Sequence, residues 1–208
     1  MASYISVFIS MFLIVFGTAT QEANQTIPSD EATQVMDIGE KASQQLVSGL
    51  KSALIKAMQN GGPVNAISVC KDTAQKLTTQ ISEDLGAGIS VKRTSLKYRN
   101  PANAPDDDER SVLKRYEIAS EQSEQIPPYI LQKIATDDGW IYRYYKPMKV
   151  MPLCLNCHGS KDQIDPAVRN ILSKEYPEDR ATGYESGDFR GVVSVTIDEQ
   201  AVKTSHSN

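Results

Sequence analysis

Residues 139–160 read GWIYRYYKPMKVMPLCLNCHGS. The first half, Gly139–Val150, is aromatic and β-branched, with a glycine at its start and one proline inside, the composition of a strand and not of a helix. That strand delivers the chain directly to Cys154, Cys157 and His158. Upstream the periodicity is helical. Val35, Ile38, Ala42, Leu46, Leu50, Leu54 and Ala57 recur at steps of three and four between Glu31 and Met58, and Asn60–Pro63 (NGGP) stops the run. A second helix is predicted from Pro63 to about Asp84, with Ile67, Cys70, Ala74, Leu77 and Ile81 on one face and Gly86 and Gly88 behind it. Ile89–Ser95 reads as a short strand and Leu96–Pro105 as an ordered loop. Asp106–Glu109 sets four acids at the start of a third helix through Val112, Leu113 and Tyr116, where negative charge suits the dipole; a solvated helix start is the expectation there, not a metal site.

Beyond the cysteines, Asp165 and Pro166 suit the N-cap and first position of a helix to about Tyr176. Gly187–Asp198 closes as a strand with Val193, Val195 and Ile197 on one face. Helices first, then strands with helices between them, predict an α+β fold with an antiparallel sheet. A chain of 208 residues suffices for one such domain. Its net charge of −4 lacks the basic footprint of nucleic-acid binding, so no nucleic-acid partner is expected.

The first twenty residues contain no Asp, Glu, Lys or Arg, and Ile5–Phe16 is nearly continuous in apolar side chains. The run is short for a bilayer span, and Gly17, Ala19 and Thr20 follow it, so residues 1–20 read as a signal peptide cleaved near Ala19 or Thr20. Because no positive side chain precedes the run, an uncleaved anchor is the alternative, and only then would the membrane be a partner. In both cases the remainder is expected to be exported, to the periplasm or its equivalent. Residues 21–30 read as a flexible lead-in, 31–198 as the single domain and 199–208 as a loose tail.

The chain has three cysteines and two histidines. Cys154-Leu155-Asn156-Cys157-His158 is the pattern of c-type haem attachment, in which two thiols add across the vinyl groups and the adjacent imidazole reaches the iron. Two rivals use the same residues. A redox disulfide expects a βαβ setting, which the rest of the chain does not suggest. A structural zinc wants four ligands, and only Cys70 is left to join. The haem reading accounts for every residue of the motif. With His158 on one axial side, the other is open to His206, Met148, Met151 or Cys70. His206 lies in the polar tail, Met151 is close to the motif in sequence, and Met148 is only slightly farther. Cys70 is remote and sits mid-stripe on an apolar helix face, a position that suits a core cysteine as well as a ligand.

Taken together, Cys70, Val91–Pro105 (VKRTSLKYRNPANAP), Cys154–Gly159 (CLNCHG) and Tyr176–Val195 (YPEDRATGYESGDFRGVVSV) make the chain resemble the bacterial single-haem c-type proteins of PAS-like fold with Cys/His axial ligation. The resemblance implies a PAS-like antiparallel sheet with a long N-terminal helical pair and flanking helices. It implies one covalent haem c with thioethers at Cys154 and Cys157, His158 as proximal iron ligand and Cys70 as distal ligand. A thiolate ligand stabilises ferric iron, so a low reduction potential is expected. Arg93, Lys97, Tyr98 and Arg99 fall within the family motif and are candidates for contacts to the haem propionates. Related domains occur alone or fused to signalling modules, which implies redox or small-gas sensing, with CO or NO displacing Cys70 on reduction. No output module is recognisable after Ile197, so sensing would use an unidentified redox or signalling partner. Electron transfer with both ligands kept is the alternative. Enzymatic activity is not expected, since no acid–base pair stands beside the motif.

Overall fold

The computed structural model describes residues 26–204. The segment read as a signal peptide, the first half of the lead-in and His206 lie outside the described residues, as does the side chain of Cys70. Two long helices come first, α1 (Ser29–Gln59) and α2 (Gly62–Leu85), then strand β1 (Ile89–Thr94) and helix α3 (Asp107–Glu121). Strands β2 (Ile130–Thr136) and β3 (Gly139–Lys149), the short helix α4 (Leu155–His158) and helix α5 (Pro166–Glu175) follow. Strand β4 (Phe189–Asp198) and helix α6 (Glu199–Thr204) end the described chain. The four strands form one sheet in the order β1-β4-β3-β2, every pair antiparallel. The α+β architecture expected from the sequence is the one observed.

Period-two patterning decides what each face of the sheet meets. Val91, Val195 and Tyr144 stand in one cross-strand row, and Ile89, Ile197 and Tyr142 in another. These rows bury against Val35, Ala42 and Leu46 of α1 and Ile81 of α2, forming the main core. Tyr145 and Val192 turn to the opposite face, where Val112, Leu113 and Tyr116 of α3 cover them. Gly39 lets α1 lie close to β3, since a Cβ there would come within 2.2 Å of the Tyr144 ring.

The phenols of β3 reach α1 carboxylates. Tyr142 donates to Glu31 at 2.6 Å, Tyr144 donates to Glu40, and Lys146 binds Glu40 at 2.8 Å. The Lys146 and Tyr144 hydrogen bonds pull the Glu40 carboxyl down from 4.5 to about 2. A depressed carboxyl stabilises the fold fully above its unfolded value and loses that contribution as the pH falls from 4.5 towards 2. Glu40→Gln is therefore expected to flatten the acid limb of thermal stability across that window. Parallel melting curves for variant and wild type would show that the bonds contribute nothing.

Three elements differ from the sequence reading. Strand β2 has no counterpart there, because its residues are half-buried for most of its length and carry no clean alternation; it is an edge strand paired only with β3. The tail expected to be loose from 199 begins as α6, which buries Val202 in the main core. The lead-in expected to reach residue 30 gives way to α1 at Ser29. The acidic run does start α3, but not all of it is solvated. Asp106 accepts from the Glu109 amide at 2.8 Å and Glu109 accepts from the Asp106 amide at 3.0 Å. Glu109 itself is buried and paired with Lys92 of β1 at 2.7 Å, so this acid also ties the helix to the sheet.

Candidate functional site

Strand β3 hands over to the cysteine motif through a pinned turn. The Val150 amide donates to Asp188 O at 2.9 Å, and the Gly187 amide returns a bond to Val150 O at 2.8 Å. A 3-10 turn, Pro152–Cys154, then runs directly into α4. Cys154 and Cys157 are three residues apart along this turn of helix, the spacing that puts side chains on one face. Both are thiols and not a disulfide, and both are half-buried. Cys154 packs beside Val150, Ala181 and Tyr184. Cys157 packs against a cluster of Ile67, Ile164, Val168 and Leu172.

His158 ends the same turn. Its Nδ1 lies 2.7 Å from the Ala181 carbonyl, which can only accept, so Nδ1 carries the proton and Nε2 keeps its lone pair. Burial holds this imidazole well below its ordinary value, and the positive charges of Arg99, Arg190 and Arg93 act in the same direction. A neutral imidazole oriented through Nδ1 is the form that binds metal, and a backbone carbonyl is a usual orienting partner. The segment 181–184 laces the motif further, with Tyr184 N donating to His158 O at 3.0 Å and Gly183 N to Gly159 O at 2.7 Å.

Arg99 binds this assembly together. Its Nε pairs with Asp179 at 3.0 Å, and its Nη2 donates to the carbonyls of Cys157 and Ala181. Asp179 also accepts from the Ala181 amide at 2.8 Å. The other residues expected at the propionates lie on β1 and the loop that follows it. Lys97 lays its Nζ 4.2 Å above the Tyr184 ring, and Tyr98 stacks with Arg180 at 4.9 Å. Arg93 stands on β1 opposite Val193, on the sheet face that α1 and α2 cover. Four residues of the site, Asp179, Ala181, Tyr184 and Arg190, escape the sequence reading. They do lie in Tyr176–Val195, one of the stretches carrying the family resemblance, but two of them act through backbone atoms or an aromatic ring.

Cys70 is placed by its backbone within α2. Ile67, one turn before it, belongs to the cluster that Cys157 joins, and Lys71, beside it, bridges to Glu175 at the end of α5 at 2.6 Å. The middle of α2 therefore runs against the same cluster that receives the motif. Of the methionine candidates, Met148 packs against the main core and Met151 is exposed. The setting does not match a thioredoxin-like disulfide, since the sheet before the motif is antiparallel throughout. Among the described residues, which leave out the Cys70 side chain, no group of three or more His, Cys, Asp and Glu forms a metal cluster. The donor set does fit haem: two same-side thiols and an oriented neutral imidazole on one helical turn.

Fold and site together define an α+β protein organised around a CxxCH turn at the end of a sheet strand. The sequence profile of the Tll0287-like family (Tll0287) matches residues 18–198, and the chain belongs to that family. The crystal structure of the cyanobacterial haem-protein Tll0287 shares the fold, with a TM-score of 0.57 and 24% identity over 84% of this chain and 98% of that one. No curated protein sequence matches the chain.

Proposed function

We propose that this chain carries one covalent haem c and works outside the cytoplasm as a redox or diatomic-gas sensor of low reduction potential, not as an enzyme. Cys154 and Cys157 supply the thioethers, His158 the proximal ligand through Nε2, and Cys70 the distal ligand. The observation that carries this reading is the Nδ1–H bond from His158 to Ala181, which leaves Nε2 as a donor on the same turn as both thiols. Tll0287, whose fold this chain shares, is a haem-protein, and that supports the reading. Haem supplies one-electron redox chemistry and, where an axial position opens, binding of CO or NO.

The chain's own part is to hold and to transmit. Arg99 and Asp179 keep the motif backbone against segment 179–181, and Ala181 holds the imidazole in one tautomer. Helix α2 carries Cys70 and packs on both α1 and β1, so a displacement of the Cys70 turn would reach the longest helix and the sheet. The apolar first twenty residues support export.

A pyridine haemochrome spectrum of the purified protein is expected to show the c-type band, and its absence would end the haem reading. Ferric electron paramagnetic resonance is expected to change in Cys70→Ala; an unchanged spectrum makes Cys70 a core cysteine. Exposing the reduced protein to CO is expected to give a bound adduct. A reduced protein that takes up no CO is an electron carrier instead, with both ligands kept.

A further inference from the structure

Arg190, second in β4, brings its charge to bear on His158 of the motif. Its Nη1 donates to Ser95 Oγ at 2.8 Å and Lys97 O at 3.1 Å, and lies 3.5 Å from the Tyr184 hydroxyl. All three partners are neutral. Among the described residues no carboxylate pairs with Arg190, and its Nε and Nη2 make no hydrogen bond to the protein. Burial lowers its pKa, so the protein holds this charge against a desolvation penalty. A strap between β4 and the loop after β1 needs a single donor, whereas a guanidinium brings five in a planar fork suited to a carboxylate.

The surroundings repeat the theme. The Arg190 guanidinium lies 5.2 Å from the Tyr184 ring centroid, and Lys97 Nζ lies 4.2 Å from the same centroid. The other face of this arrangement is His158, whose ring meets Tyr184 edge-on at 6.3 Å. Two cations that form no direct ion pair among the described residues thus converge on the aromatic ring beside the imidazole, with Asp179, the partner of Arg99, the carboxylate whose charge reaches Arg190. Glu117 lines the small hollow beside them, of about 30 Å³, without forming an ion pair with either. Arg99, by contrast, already has its counter-charge in Asp179.

We propose that Arg190, with Lys97, anchors the carboxylates at the edge of the bound haem, and that Arg99 is a positioning residue for the motif and not a contact to those carboxylates. This rests on the haem reading and extends it to a residue that sequence reasoning did not single out. An arginine paired to a haem carboxylate offsets negative charge next to the iron and favours the reduced state, so its loss moves the midpoint potential downward.

The test uses full-length holo-protein matured with its haem, with three variants, Arg190→Gln, Arg190→Lys and Lys97→Gln. Haemochrome absorbance counts covalent haem, and a redox titration reads the midpoint potential. Arg190→Gln is expected to keep its covalent haem and titrate at a lower potential than wild type. Arg190→Lys should recover most of the shift, and Lys97→Gln should shift in the same direction by less. A titration in which Arg190→Gln, carrying covalent haem, coincides with wild type overturns the proposal and leaves Arg190 as a strap. If Arg190→Gln does not fold, Lys97→Gln decides, and an unmoved potential there overturns the two-cation anchor. Wild-type protein without covalent haem would instead overturn the underlying haem reading, a separate and distinguishable failure.

Discussion

The double variant Cys154→Ala/Cys157→Ala is expected to lose all haem that survives denaturation while keeping its fold. Both thiols sit at the one-turn helix α4, outside the two cores that hold the sheet to its helices. Each packs in a small satellite cluster, Cys154 beside Val150, Ala181 and Tyr184 and Cys157 beside Ile67, Ile164, Val168 and Leu172. Replacing a half-buried thiol at such a margin costs about 1 kcal/mol. The chemical consequence is categorical, because a thioether cannot form without the sulfur. A haem stain on a denaturing gel reads the attachment, and the urea midpoint of the apo-protein reads the fold. Stain that persists in the double variant would place the attachment elsewhere. A double variant that no longer folds would make the cysteines structural.

The parts of this protein that write themselves in side-chain pattern were legible in the sequence. The Val193, Val195 and Ile197 row announces which face of β4 is buried, and that face is the one packed on α1 and α2. The CxxCH spacing places two thiols and an imidazole on one turn, and the turn is there. Arg99 shows where such reading stops. A lone arginine in a polar loop reads as an anion binder, yet its Nε pairs with Asp179 and its Nη2 donates to two backbone carbonyls. Asp179 lies about eighty residues away in the chain, and a carbonyl acceptor leaves no mark in residue identity. Strand β2 was hidden for a related reason: an edge strand is held by backbone bonds to one neighbour, and its side chains need not alternate.

Gly191 did carry a signal. A glycine inside a strand marks a bulge or a close backbone approach. Here φ is +145° and a Cβ would stand 2.3 Å from Thr94 O, while the register between β3 and β4 shifts next to it at Met148/Lys149. The adjacent residue is Arg190. The irregularity thus falls where β4 begins and where the guanidinium turns towards Ser95 and Tyr184, which ties the shape of the strand's start to the charge beside His158.

Asp179→Ala is expected to cost the fold heavily while leaving the residues of the haem motif unchanged. Asp179 and Arg99 are both mostly buried, at 11% and 14% side-chain exposure. Removing one partner of such a pair leaves an uncompensated charge, which costs about 3 kcal/mol. The loss extends to the imidazole by two bonds. Asp179 accepts from the Ala181 amide, and the Ala181 carbonyl accepts the His158 Nδ1 proton, so releasing Asp179 loosens the group that sets the tautomer. Asp179→Asn keeps an acceptor for that amide while removing the charge, and should fall between alanine and wild type. Urea unfolding of the apo-proteins measures the stability. In the haem-loaded variants, a ferric electron paramagnetic resonance spectrum altered more by alanine than by asparagine would register the loosened imidazole. Equal stability in all three proteins would mean that Arg99 is balanced by solvent and not by Asp179, and the clamp on the motif would then have to come from the backbone bonds of segment 181–184 alone.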